Sequence, residues 1–388
     1  MTIQIEVFQN VHRFAIIDLF SGVGGFSLGA IRSGFDVIAA VDNDPRAAKA
    51  FMVNFPNCKQ IQEDIEKITG VRLRELAAAG KQTIHGIIGG PPCQGFSRIG
   101  RRIPNDERNK LFDHFFRLVS EIQPWFYCVE NVRGVLDERF GNFRKKAIKR
   151  LRGYRHLPPQ ILKASDFGAA TNRERVIFVG YKPQHVGNLR VGDFKPRDSV
   201  QNVTVGMALR GLPRKINPIW QREHEGWRRL TKLQEGRFWD SIYGNIPPGI
   251  GAPDALKRLN MERQVSGCLG TNHTSEVIKR FEALKEGSVD GPSRAVKLVR
   301  KGFCPTLRSG TGPDHGSFQA LRPIHPTEAR VITPREAARL QGFPDWFQFD
   351  ATKWHSHRQI GNSISPILAE NIMRIIAKHL KTEGEDNG

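Results

Sequence analysis

A cysteine set among glycines and prolines is the residue of this chain best placed to do chemistry. Gly89-Gly90-Pro91-Pro92-Cys93-Gln94-Gly95-Phe96-Ser97 follows a short apolar run. The prolines stiffen the approach and the glycines let the chain turn, so Cys93 is expected at a strand end rather than packed within one. Apolar burial is the usual fate of a free cysteine; a presented thiol is a nucleophile candidate. The remaining cysteines, Cys58, Cys128, Cys268 and Cys304, form no CxxC pair. Neither a disulfide framework nor a metal site is therefore expected. Glu130, in Glu130-Asn131-Val132, places a carboxyl after another apolar run, where it could act as an acid or a hydrogen-bond clamp. In Asn172-Arg173-Glu174-Arg175, alternation along an extended chain puts both guanidinium groups on one face. A second group of residues has the chemistry of a nucleoside-type binding loop. Asp18-Leu19-Phe20-Ser21-Gly22-Val23-Gly24-Gly25 spaces its glycines as GxGG, unlike the dinucleotide GxGxxG. Asp42 stands about where a ribose hydroxyl is gripped, and Asp64 could hold an adenine amino group.

Elements of a particular kind must position these residues. Phe14–Phe20, Val37–Val41, Gly86–Gly90, Trp125–Val129 and Val176–Gly180 are continuous apolar runs that read as strands. Helical patterns follow the first two, at Phe26–Ser33 and Arg46–Asn54. Such alternation predicts an α/β fold with a parallel sheet covered on both faces, its polar loops at the strands' carboxyl ends. Two further helices are expected near the end, Pro334–Gln341 and Ser365–Leu380. From Gln184 to Arg330 the texture changes to short runs broken by Gly, Pro and Asn, as in Gly244-Asn245-Ile246-Pro247-Pro248-Gly249. This predicts an α/β domain over 1–183. A smaller irregular domain would occupy 184–330, with a hinge and helix over 331–344.

Charge narrows the partner. The formal net charge of the 388-residue chain is +20, and 184–330 holds 24 Lys and Arg against 14 Asp and Glu, half of that excess. A folded composition this basic suggests a polyanion such as nucleic acid. No run approaches the roughly 18 apolar residues of a membrane span. The N-terminus lacks a signal-peptide pattern, so a cytoplasmic, nucleoid-associated location is the default expectation.

Taken in order, the motifs resemble those of the DNA (cytosine-5) methyltransferases of bacterial or phage type, as found in restriction-modification systems. The matching segments are Asp18 to Gly29, Pro91-Pro92-Cys93-Gln94, Arg108-Asn109-Lys110-Leu111-Phe112, Glu130-Asn131-Val132 and Arg173-Glu174-Arg175. Thr333-Pro334-Arg335-Glu336-Ala337-Ala338-Arg339-Leu340-Gln341-Gly342-Phe343-Pro344 and Gln359-Ile360-Gly361-Asn362-Ser363 complete the set. The chain departs from the family at Ala169-Ala170-Thr171-Asn172, where Pro-Gln and a further basic or polar residue usually lead into the arginines, at Asn43, where many members carry a large side chain, and at Asp42, where Glu is commoner.

The resemblance implies a Rossmann-like S-adenosylmethionine-dependent methyltransferase sheet with a second, smaller target-recognition domain over 184–330, and makes the 1–183 domain catalytic and cofactor-binding, completed by 345–388. It implies Cys93 as nucleophile, Glu130 on the N3/N4 edge of cytosine, Arg175 on O2, and Arg173 orienting the thiolate or Glu130. S-adenosyl-L-methionine would be held by Phe20, Ser21, Gly22, Val23, Gly25, Asp42, Asp64, Ile65, Pro92, Leu111, Asn362 and Ile364. Double-stranded DNA would meet Ser97, Arg98 and Thr306, the target base flipped out of the helix. A cognate restriction endonuclease would be a functional partner, and the chain a monomer. An RNA (tRNA) cytosine-5 methyltransferase would share the core, but the long basic segment favours duplex DNA. Cys93, Glu130 and Arg175 together argue against an inactive DNA-binding regulator, and the GxGG spacing against a nicotinamide oxidoreductase.

Overall fold

The computed structural model describes residues 14–92, 110–197, 199–222, 225–244, 246–309 and 322–381. The first apolar run becomes β1 (Ala15–Leu19), every residue of which is buried. It leads into α1 (Gly25–Arg32), β2 (Asp36–Val41) and α2 (Pro45–Asn54). Asp44 caps α2 by accepting the Arg46 and Ala47 N–H groups, with Pro45 preset for the first helical position. After these come β3 (Lys59–Ile61), α3 (Gly70–Leu76), β4 (Gly86–Gly89), α4 (Lys110–Ile122) and β5 (Phe126–Asn131). In α4, Phe112, Phe115, Phe116, Val119 and Ile122 recur at helical spacing and are all buried.

Beyond β5 lie α5 (Gly141–Lys149), the short β6 (Arg155–His156) and β7 (Gln160–Lys163), then β8 (Glu174–Tyr181). The sheet order is β3-β2-β1-β4-β5-β8-β6, with β7 also on β8. The first five strands pair in parallel. β8, by contrast, runs antiparallel to β5, and β6 and β7 antiparallel to β8. An all-parallel sheet is thus correct only as far as β5. The reversal has a local cause: β7 turns directly into β8 across residues 164–173, with no crossover helix to bring the chain back in the same direction.

One face of the sheet is closed by α3, α4 and α5. The other is closed by α1, α2 and the C-terminal α12 (Pro366–Ala377), and here the core continues without a break into the 190–300 segment through Phe194, Val205, Phe238, Trp239, Val265 and Leu298. At Gly29 a Cβ would come within 2.5 Å of Ala369, so α1 and α12 pack backbone against backbone. The 190–300 segment itself holds α6 (Val205–Ala208), the pair β9 (Arg228–Arg229) and β10 (Gln264–Val265), α7 (Arg237–Tyr243), α8 (Pro253–Lys257) and α9 (Ser275–Ala283).

Two helices carry this segment on the sheet domain. In α10 (Pro334–Gln341) every residue is buried, and a capping box between Thr333 and Glu336 starts the helix. Arg335 donates to the Ser266, Pro344 and Phe347 carbonyls at 2.8, 2.9 and 2.7 Å. Arg339 grips Asp345 with both ends of its fork and donates to the Ala208 and Arg210 carbonyls. In α11 (Lys353–Asn362) the Lys353 ammonium reaches the Gly270 carbonyl at 3.0 Å and the Thr271 hydroxyl at 2.8 Å. Sequence pattern did not reveal α11, because Lys353-Trp354-His355-Ser356-His357-Arg358-Gln359 has no apolar periodicity.

The Arg339–Asp345 pair is fully buried, at 1% and 0% side-chain exposure. Removing one partner leaves the other charge uncompensated. Arg339→Met is therefore expected to lose about 3–5 kcal/mol of stability in a urea titration, and adding Asp345→Asn should return part of that loss. An Arg339→Met protein as stable as the parent would contradict this reading.

Candidate functional site

Those residues singled out by type that the structure describes gather at the carboxyl edge of the sheet. The turn after β1 is tight: Phe20 sits at φ 60°, Gly22 at 54° and Gly24 at 93°. The left-handed backbone at Gly22 and Gly24 costs little because glycine has no Cβ to clash there. The Ser21 N–H donates to the Val41 carbonyl at 3.0 Å, which anchors the turn to the end of β2. Gly22 N–H donates to Asp42 Oδ2 at 2.8 Å, while Asp42 Oδ1 accepts from Asp44 N–H at 2.9 Å. Burial raises the Asp42 carboxyl above its ordinary range, against the pull of those two N–H groups. Among the described residues, its chain neighbours apart, no atom lies within 4 Å of a Cβ placed at Gly22, so the loop borders open space there. A Cβ at Gly25 would instead strike Ser363 and the Ile364 carbonyl, which brings the 362–364 turn onto the loop.

Asp64 and Ile65 follow β3 on the same edge. Asp64 Oδ1 accepts from Glu66 N–H at 3.1 Å, and the carbonyl of buried Ile65 accepts from Arg117 at 2.9 Å. Leu111 is half-buried at the start of α4, Ile364 is buried, and Asn362 is exposed at the end of α11. Gln341, unremarked as a site residue in the sequence, fixes this turn: its amide donates to the Ile360 and Ser363 carbonyls at 2.7 and 2.6 Å. No sequence signal marks it, because its partners are backbone carbonyls of a segment about 20 residues away.

The second group meets at the seam of β5 and β8. Glu130 Oε1 is ion-paired with Arg175 Nε, both side chains about nine-tenths buried. Gly90 lies against them, since a Cβ there would stand 3.1 Å from Glu130 Oε2. The next residue, Asn131, is buried and donates its amide to the Pro91 carbonyl at 3.2 Å. Glu130 and the Pro91-Pro92 approach are thereby held by consecutive residues of one strand. Pro92 is exposed. Cys93, Ser97 and Arg98 lie outside the described residues. The four described cysteines all have thiols pushed up by burial, so none is activated.

Arg173 does not share the surroundings of Arg175. It is 1% exposed, and its fork donates to the Leu307 carbonyl at 3.0 Å and the Gly361 carbonyl at 2.7 Å. Thr306, half-buried, belongs to a segment clamped onto the approach to β8. The Thr171 hydroxyl and Asn172 N–H both donate to the Cys304 carbonyl, at 3.0 and 2.9 Å. Among the described residues no three His, Cys, Asp or Glu side chains are grouped to hold a metal.

The chain is similar to known proteins along nearly its whole length. A family model for C-5 cytosine-specific DNA methylase matches residues 14–378. Type II methyltransferase M.XorII of Xanthomonas oryzae pv. oryzae is 39% identical over 384 residues, covering 95% of this chain and 86% of that protein. Type II methyltransferase M1.HphI of Haemophilus parahaemolyticus is 30% identical over 370 residues, 93% of this chain and 86% of its own length. Among solved structures, one described as a DNA modification methyltransferase encoded within an E. coli prophage has a TM-score of 0.86 at 44% identity, covering 94% and 99% of the two chains. The S. pombe Dnmt2 methyltransferase, at 16% identity and a TM-score of 0.62, over 94% of this chain and 99% of its own, shares the fold.

Asp18 beneath the loop gives the site a pH signature. It is fully buried, accepts from the Ser27 hydroxyl at 2.6 Å through Oδ2, and has no partner at Oδ1 among the described residues. Burial pushes its carboxyl up to about 7. In the unfolded chain an aspartate ionises near about 3.9. Between those values the folded chain keeps a proton that the unfolded chain has lost, so stability falls as pH rises, by at most about 1.4 kcal/mol per pH unit. Asp18→Asn keeps an acceptor for Ser27 but cannot ionise. Thermal melts should show its stability rising relative to the parent from about pH 4 to about pH 7 and levelling off above. A difference independent of pH would contradict the buried, raised carboxyl.

Proposed function

The chain belongs to the C-5 cytosine-specific DNA methylases and is a DNA (cytosine-5-)-methyltransferase of the Type II restriction-modification kind; we propose that it methylates a cytosine flipped out of duplex DNA through a covalent Cys93 bond, using S-adenosyl-L-methionine. The observation that carries this reading is the buried Glu130–Arg175 pair, set beside the approach to Cys93 by Gly90 and by the Asn131–Pro91 hydrogen bond.

Cytosine C5 is too weak a nucleophile to be methylated directly. The Cys93 thiolate adds to C6, and the electron pair of the C5–C6 double bond becomes available at C5. Glu130 faces the N3/N4 edge: one oxygen accepts from the exocyclic amine, and the other shares the proton that N3 takes up. Arg175 turns from Glu130 to the O2 oxygen, where charge develops. After C5 has gained the methyl group, a base removes its proton and the electron pair expels the thiolate, restoring the ring. One difficult step is thus divided into several easier ones. A base inside a helix cannot present C6 to a side chain, so the reaction requires the flipped state.

The residues present fit the cofactor. The open space at Gly22 lets a ligand approach the backbone, and Asp42 keeps lone pairs for ribose hydroxyls beyond the two N–H groups it accepts. Phe20 would stack on the adenine, Ser21, Val23 and Gly25 line the methionine part, and Asp64 and Ile65 meet the adenine edge. Pro92, Leu111, Asn362 and Ile364 would complete the pocket. When bound, S-adenosylmethionine supplies an electrophilic methyl group.

Residues 184–330 serve in this reading as the target-recognition domain, with Thr306 on a backbone phosphate and Ser97 and Arg98 closing over the flipped base. Their excess positive charge suits phosphate contacts, which position, while a few side chains read base edges. The chain acts alone on DNA, and a cognate restriction endonuclease is its functional counterpart.

The covalent step can be caught. In the presence of S-adenosylmethionine, DNA prepared with 5-fluorodeoxycytidine in place of deoxycytidine should form a stable adduct, because after methyl transfer the C5 fluorine does not leave as a proton does and the thiolate cannot be expelled. Mass spectrometry of the digested protein should place that adduct on Cys93, and Cys93→Ser should give none. No adduct with the parent protein, or one on Cys58, would contradict the mechanism.

A further inference from the structure

Resting on that reading, we infer that Arg173 is a positioning residue that ties the DNA-facing segment 304–309 to the cofactor-facing turn 360–364, so that each ligand binds more tightly in the presence of the other. The guanidinium spans two segments that are remote in sequence. Leu307, whose carbonyl it holds at 3.0 Å, follows the phosphate contact assigned to Thr306. Gly361, whose carbonyl it holds at 2.7 Å, precedes the cofactor contact assigned to Asn362. One buried side chain therefore fixes the backbone one residue away from each ligand.

The surroundings leave little slack. On the DNA side, Cys304 is bonded to Ala170, Thr171 and Asn172, so segment 304–309 cannot shift without moving the residues before Arg173. On the cofactor side, Gln341 holds the Ile360 and Ser363 carbonyls and Gly25 lies against Ser363 and Ile364. The two segments also touch directly, since a Cβ at Gly361 would stand 2.8 Å from the Ser309 nitrogen. A guanidinium is a planar, rigid fork, and donating to two carbonyls at once requires both to be in place. A ligand that orders one segment then orders the other in part, and the second ligand meets a smaller ordering cost. Arg175, two residues on, is the arginine that pairs with Glu130, while Arg173 holds segments 304–309 and 360–364 together.

The test measures coupling rather than activity. A duplex containing the mapped methylation site and S-adenosylhomocysteine are titrated, separately and together, into the full chain by calorimetry. The parent protein should bind each about fivefold or more tightly when the other is present. Arg173→Lys keeps the charge but cannot bridge both carbonyls, and its coupling factor should fall close to one. Gly361→Ala, which presses on Ser309 from the other side, should lose coupling in the same direction and replaces Arg173→Lys if thermal melting shows that variant unfolded. Undiminished coupling in either folded variant, or none in the parent, overturns the tie. A parent protein that binds neither ligand overturns the proposed function instead.

Discussion

A carboxylate and a guanidinium held together out of water are the constraint on which the site is built. Burying two charges is costly, and their attraction offsets the cost only when the geometry is kept. Here it is kept by the direction of one strand. In an antiparallel pair the start of one strand lies beside the end of the other. Because β8 opposes β5, Glu130 at the end of β5 and Arg175 at the start of β8 share the carboxyl edge of the sheet. A parallel β8 would have carried Arg175 to the opposite edge, far from the approach to Cys93. The strand reversal thus brings the clamp to the edge where the glycine loop, Asp42 and Asp64 already lie.

The basic character of the chain divides between two uses. Some of the positive charge faces outward, as a DNA-modifying protein requires. A separate set of cations holds the molecule together from inside. Arg173, Arg335 and Arg339 are each about 1% exposed and are spent on backbone carbonyls or on Asp345. They join segments that no single apolar face could join, since 184–330 has only short elements and must be fixed to the sheet domain at several points. A net charge of +20 therefore overstates the number of cations free to meet phosphate. The core that runs from the sheet into 190–300 has the same consequence: the second region shares its apolar interior with the first.

Much of this was legible from residue types. The glycine loop, Asp42, Asp64, Glu130 and the two arginines stand out by composition and spacing, and Pro334–Gln341 matches its helix residue for residue. Local pattern reveals local structure, because caps, turns and apolar periodicity act over a few residues. It failed where the cause was distant. The direction of β8 depends on β7, a strand of four residues with a half-exposed pattern. The partners of Arg173 lie 134 and 188 residues away, so alternation placed it beside Arg175 but could not say what it holds. Gln341 and the polar α11 were hidden because their stabilising contacts are to carbonyls, which carry no sequence signature.

The central claim is that the Glu130–Arg175 pair is the clamp for a cytosine undergoing methylation at C5. Nucleoside mass spectrometry of unmethylated phage λ DNA incubated with S-adenosylmethionine tests it most directly, comparing the parent protein with Glu130→Gln. The account predicts 5-methyldeoxycytidine from the parent and a rate for Glu130→Gln lower by about a hundredfold or more, the scale of losing a positioned acid-base group. A Glu130→Gln protein that produces 5-methyldeoxycytidine at the parental rate would contradict it.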